Sequence, residues 1–121
     1  MNMMNLGSET VRALDKMGYT DEDIDWIGTR EFRIPLTEFF DVAYNTDYNN
    51  SYGSAKIPCD LIIKMKDGAW YSRGEYDGSE WWQYNEVPDK PMPCLHLKVK
   101  NFLEPNYDWD PTLAEACGIR R

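Results

Sequence analysis

The sequence predicts an α+β fold: short N-terminal helices packed on an antiparallel sheet of three to four strands, arranged as a β-meander. Three observations lead there. Two Asp-Gly pairs, Asp67-Gly68 and Asp77-Gly78, separate three strand-like runs, and Asp-Gly between such runs signals a tight hairpin. Upstream, apolar residues recur at helical spacing between capping residues and a stop glycine. Downstream, Pro88, Pro91, Pro93, Pro105 and Pro111 interrupt regular structure, so this stretch reads as a wrapping tail. No repeat or domain boundary is visible, and 121 residues suffice for one modest core. Residues 1–121 are expected to form a single domain.

The elements follow in order. Ser8 caps a helix running to about Lys16, with Val11, Leu14 and Met17 on one face and Gly18 as the stop. Thr20 caps a second short helix, whose first turn holds Asp21, Glu22 and Asp23 and whose apolar side is Ile24 and Ile27. Glu31 to Ile34 reads as a strand and Leu36 to Ala43 as a helix. Tyr44 to Ser54 combines turn formers with Tyr44, Tyr48 and Tyr52. It reads equally as a segment packed on the sheet edge and as a polar aromatic recognition loop. Asp60 to Lys66, Ala69 to Tyr76 and Ser79 to Tyr84 are the three strands of the meander, and Leu95 to Val99 extends it. A short helix from Pro111 to Cys117, capped by Asp110 and followed by Gly118, ends the chain.

Two-residue turns at both Asp-Gly pairs fix which side chains share a face. With Lys66 opposite Ala69 and Gly74 opposite Trp81, one face carries Leu61, Ile63, Met65, Trp70, Gly74, Tyr76 and Trp81. It is the expected core face, with Trp81 lying over Gly74. The other face carries Ile62, Lys64, Tyr71, Arg73, Glu75, Glu80, Trp82 and Tyr84. Here Arg73 beside Trp82, and Lys64 beside Tyr71 and Tyr84, are placed for cation–π contact. Glu75 opposite Glu80 juxtaposes like charges, which a neighbouring cation or a ligand must offset. Trp, Tyr and Arg are the residues that dominate interface energetics. The expected binding residues are therefore Tyr48, Tyr52, Tyr71, Arg73, Glu75, Glu80, Trp82 and Tyr84. An ordinary solvated face with salt bridges is the competing reading.

Composition narrows the function. Thirteen basic and 21 acidic residues give a formal charge of −8, which opposes binding to a phosphate backbone. No apolar run is long enough to cross a membrane, and Met1 to Gly7 carry no secretory signal. Cys59, Cys94 and Cys117 are too far apart for a metal ribbon and odd in number. They read as reduced, mostly buried thiols of a cytoplasmic protein. The single histidine, His96, falls in the expected strand from Leu95. Phosphate-loop and nucleophile-elbow motifs are absent, so no catalytic residue, metal or cofactor is expected.

One stretch carries a resemblance. Ile24 to Arg30, Ile34 to Ala43, Asp47 to Gly53, Asp60 to Ile63 and above all Glu75-Tyr76-Asp77-Gly78-Ser79-Glu80-Trp81-Trp82 resemble a family of small uncharacterised phage and mobile-element proteins. The resemblance implies a setting: small acidic phage proteins without catalytic motifs are often inhibitors of host defence, and anti-CRISPR proteins are one class of these. The leading expectation is thus a non-enzymatic inhibitor. It binds a host nucleic-acid-handling defence protein at a basic groove, by steric and electrostatic block, without touching nucleic acid or membrane. Two alternatives stand beside it. In one, Arg73 and Lys64 hold the phosphate of a sequestered nucleotide signal between the tyrosine loop and Trp82. In the other, Glu75 and Glu80 serve a metal-dependent hydrolase.

Overall fold

The computed structural model describes residues 3–51, 53–103 and 108–119. The chain divides into two compact units, Met1–Val87 and Pro88–Arg121. The first unit is α+β. It runs β1 (Met4–Asn5), α1 (Leu6–Lys16), β2 (Ile24–Gly28), β3 (Arg33–Ile34), α2 (Leu36–Tyr44), β4 (Asp47–Tyr48), β5 (Ile62–Met65), β6 (Trp70–Tyr76) and β7 (Ser79–Asn85). Five strands form an antiparallel sheet in the order β3-β2-β5-β6-β7, and β1 pairs with β4 in a separate two-stranded ladder. The sheet is one strand larger than the expected maximum, because it grows on the β2 side of β5.

Each helix end has a local cause. Asn5, not Ser8, caps α1: its side-chain oxygen accepts the Ser8 N–H at 3.0 Å, and Ser8 lies inside the helix. The buried stripe of α1 is Leu6, Gly7, Thr10 and Leu14, while Val11 and Met17 of the expected stripe face solvent. The helix after Thr20 is replaced by one 3-10 turn, Asp21–Asp23, leading straight into β2. The spacing of Ile24 and Ile27 was the helical cue, and a β-bulge explains it. The pairing to β5 slips between Ile24 and Trp26, so an extra residue, Asp25, brings two isoleucines three apart onto the same buried face.

The two Asp-Gly hairpins differ by one residue. Across the second, Gly74 pairs with Trp81 and Tyr76 with Ser79, as the two-residue turn requires. Asp77 and Gly78 both have positive φ, 50° and 89°, the backbone of a type I′ turn. Across the first, Ile63 pairs with Tyr71 and Lys64 with Trp70. The loop there has three residues, Lys66, Asp67 and Gly68: Met65 N–H donates to Ala69 O at 2.9 Å and Gly68 N–H to Met65 O at 3.2 Å. Gly68, at φ 103°, fills the left-handed position such a loop needs. The Lys66 N–H is held on the opposite edge by Asp23 O at 2.9 Å.

That extra residue turns β6 and β7 over relative to β5, so the expected faces are corrected. The helix-covered face holds Ile63 and Met65 as expected, but with Tyr71 (2% exposed), Glu80 (3%) and Trp82 (8%). Trp70, Tyr76 and Trp81 lie on the other face, where Trp81 is 37% exposed. The core is completed by Leu6, Leu14, Ile24, Ile27, Phe39, Ala43, Tyr48, Ile57 and Leu61, so both helices and the segment before β5 seal one side of the sheet.

The second unit has little regular structure among its described residues. Its one helix, α3 (Leu113–Ala116), is capped by Thr112 rather than Asp110: Thr112 Oγ1 accepts the Glu115 N–H at 3.3 Å. Leu95 to Val99 forms no strand and His96 is exposed. Lys98 N–H donates to Ala116 O at 2.7 Å. The cysteines are free, but Cys59 and Cys94 are exposed rather than buried, and Cys117 is half-buried. No helix among the described residues is long and apolar enough to cross a membrane.

Candidate functional site

The residues expected to bind a partner come together, but largely inside the protein. Arg73 is the hub. Its side chain is 3% exposed and is flanked by two carboxylates: Nη1 lies 3.4 Å from Glu9 and Nη2 lies 3.2 Å from Glu80. Nη2 also donates to the Tyr48 hydroxyl at 3.0 Å, and that hydroxyl donates to Glu9. The guanidinium carbon sits 4.8 Å from the centroid of the Trp82 ring, a desolvated cation–π contact. Trp82 Nε1 donates to Thr10 Oγ1 at 2.9 Å, and Thr10 donates to Leu6 O at 2.7 Å. Burial, and then the hydrogen bond to Glu9, push the Tyr48 hydroxyl well above its ordinary pKa. Arg73 Nε is buried with no partner among the described residues.

The two glutamates opposite each other across the second hairpin have separate tasks. Glu75 and Glu80 are register partners, yet Glu80 is buried on Arg73 and accepts the Lys56 and Ile57 N–H groups at 2.8 and 3.2 Å. Glu75 is exposed and accepts the Gly78 N–H at 3.3 Å. The like-charge conflict is resolved by burial of one carboxylate against a cation. Among the described residues no set of three His, Cys, Asp or Glu side chains is grouped to hold a metal. Tyr71 and Tyr84 pack edge to face at 5.4 Å, and the Tyr71 hydroxyl donates to Ala13 O at 2.8 Å. Burial, then the nearby Tyr84 and Asp67, push that hydroxyl up to about 12. Lys64 is on the opposite face and does not lie over Tyr71 or Tyr84. Tyr52 lies outside the described residues.

Breaking a buried ion triad of this kind is costly, since the surviving charge is left in the core.

The open face of the sheet has the opposite character. Trp26, Lys64 and Trp70 are register neighbours across β2, β5 and β6. Together with the β2–β3 loop and β3 they line a cleft of about 720 Å³, to which the loop contributes Arg30 and Phe32 and β3 contributes Arg33. Gly28 shapes the loop. Thr29 N–H donates to Phe32 O at 2.7 Å, and a Cβ on Gly28 would sit 2.2 Å from that same oxygen and 2.5 Å from Arg33 Cα. Only glycine lets the two backbones approach so closely. Among the described residues both ion pairs belong to Arg73; Arg30, Arg33 and Lys64 make none there, though Lys64 lies in the field of Asp67. Glu31 is the one carboxylate in the lining, leaving a local charge of +2 on a chain of −8.

None of Trp26, Arg30, Phe32, Arg33 or Trp70 was among the expected site residues, and Lys64 was placed with the wrong neighbours. The available signal was the Lys66-Asp67-Gly68 triplet, since Asp-Gly also ends three-residue loops. No family model, curated protein or solved structure matches this chain.

Proposed function

We propose that this chain is a binding protein that acts by recognition rather than by catalysis, and that the open sheet face is its recognition surface. The observation carrying this reading is the coincidence, in one cleft, of Trp26, Trp70 and the 62%-exposed Phe32 with three cations that make no ion pair among the described residues. Aromatic rings and guanidinium groups are the residue types that anchor partners, and exposed apolar groups rimmed by charge mark interaction sites. The groups present are suited to stacking and ion pairing, and the lining offers no nucleophile–base pair.

A second reading retains the inhibitor of a host defence protein that meets a basic surface. It is favoured by the groove of about 600 Å³ between α1 and α2, where Asp15, Asp21 and Asp41 rim the apolar Leu14, Leu36 and Phe40 and no basic residue lines the wall. An apolar floor with an acidic rim complements a basic amphipathic segment.

Capture from a host lysate separates the two. The open-face reading expects Trp70→Ala and Arg30→Glu to abolish capture of the wild-type partner without lowering the melting temperature, while Asp15→Lys with Asp41→Lys has no effect. The reverse pattern would sink it and favour the helical groove.

A further inference from the structure

We infer that the open cleft takes a free nucleoside polyphosphate. This rests on the reading of the open face as the recognition surface, and it names the chemistry of what binds there. A nucleotide asks for two things at once: a flat apolar surface for the base and fixed positive charge for the phosphates. The cleft supplies both within one small volume. Trp26 and Trp70 stand on either side of Lys64, on the strands flanking it, so two indoles border a central cation. Arg30 of the β2–β3 loop and Arg33 of β3 line the same cleft. The cleft is shallow and open to solvent, so a ligand would rest on the sheet face with its base against an indole.

The polar groups are free to act. Arg30, Arg33 and Lys64 make no ion pair among the described residues, and the Trp26 and Trp70 indole N–H groups have no acceptor there. Trp81, Trp82 and Trp109, in contrast, donate to Gln83, Thr10 and Glu115. Guanidinium groups engage phosphate oxygens in paired hydrogen bonds, and every base presents a face that an indole can stack on.

The charge balance selects the free nucleotide over a strand. Proteins that hold single strands line a long track with cations, whereas here the three cations line one cleft. A long polyanion would also meet the field of a chain whose net charge is −8. A di- or triphosphate places its charge where the cations are and extends no further.

The test is a titration of the full-length protein with ATP, GTP, AMP, adenosine, inorganic tripolyphosphate and a short thymidine oligonucleotide, following the indole N–H resonances. A nucleoside triphosphate is expected to move the Trp26 and Trp70 signals and leave Trp82 in place. Affinity should fall by about tenfold or more for adenosine, and likewise for tripolyphosphate, since each lacks half of the recognised chemistry. Trp70→Ala and Arg30→Glu should each weaken binding by about tenfold or more at unchanged melting temperature. Tighter binding of the oligonucleotide than of any free nucleotide would overturn the inference in favour of a strand. Absence of any nucleotide response at millimolar concentration would overturn it too. Loss of a lysate partner by Trp70→Ala in that same case would show that the open face still recognises something else. Nucleotide binding that Trp70→Ala and Arg30→Glu leave intact would remove both the ligand and the face.

Discussion

Arginine and tryptophan meet on both faces of the sheet, and they do different things there. On the helix-covered face Arg73 lies against Trp82 and is ion-paired to both Glu9 and Glu80. Every strong donor but one is engaged, and the cluster is closed to solvent. On the open face Arg30 and Arg33 share a cleft with Trp26 and Trp70, and among the described residues no carboxylate forms an ion pair with them. Residue type does not separate a structural cluster from a recognition surface. What separates them is whether the charges and donors are already satisfied within the fold.

The comparison breaks first at its buried side. Trp82→Ala removes a core indole and leaves Thr10 without its donor, and should cost about 3–5 kcal/mol. Trp81→Ala, one residue along on the open face, should cost less than about 1 kcal/mol by the same chemical denaturation. Equal losses would mean that the two faces are not distinct. Arg73→Ala should cost about 3–5 kcal/mol, because it strands two carboxylates in a dry site. A double Arg73→Met, Glu80→Met variant should recover part of that loss.

A smaller effect sharpens the open side. Gly28→Ala forces the β2 and β3 backbones apart where the added Cβ would meet Phe32 O. It should cost about 1–3 kcal/mol and disturb the Trp26 resonance more than that of Trp82. Trp70→Ala should leave unfolding within about 1 kcal/mol of wild type, since Trp70 lines the open cleft and is not part of the core cluster.

The smallest effect is the pH dependence. The Tyr71 hydroxyl is held up to about 12 in the folded protein, against 10.0 for a free tyrosine. A raised value means that the folded state favours the protonated form. The associated stability is full below pH 10 and disappears as pH rises through 12. Tyr19 and Tyr48 are raised as well, so the melting temperature should fall steadily above pH 10. Tyr71→Phe should flatten that fall while costing about 1 kcal/mol at neutral pH, through the lost bond to Ala13 O.

Local chemistry made much of this fold readable. Gly18 and Gly118 end their helices, and Asp77-Gly78 fixes every pair from Tyr71–Tyr84 to Tyr76–Ser79. The Arg73–Trp82 contact and the position of Trp81 over Gly74 follow from that register. Long-range effects hid the rest. The bulge at Asp25 gave a strand the spacing of a helix, and only its pairing with β5 reveals it. At Asp67-Gly68 two loop lengths are compatible with the same dipeptide. The choice rests on the Asp23–Lys66 bond and on Tyr19, whose hydroxyl donates to Asp67 at 2.6 Å. Neither partner is local. Composition also misled, because the face with more charge became the core. Arg73 and Glu80 read as solvent residues, because the groups that enclose their ion pair, Glu9 and Tyr48, are far away in sequence.

The most direct measurement is hydrogen–deuterium exchange of the indole N–H groups in the unliganded protein, at a pH where the fold is stable. The Trp82 indole donates to Thr10 inside the core, so its proton should persist long after those of Trp26 and Trp70 have exchanged. Rapid loss at Trp82 with protection at Trp26 and Trp70 would reverse the faces, making the Arg73 cluster the exposed site and the cleft part of the core.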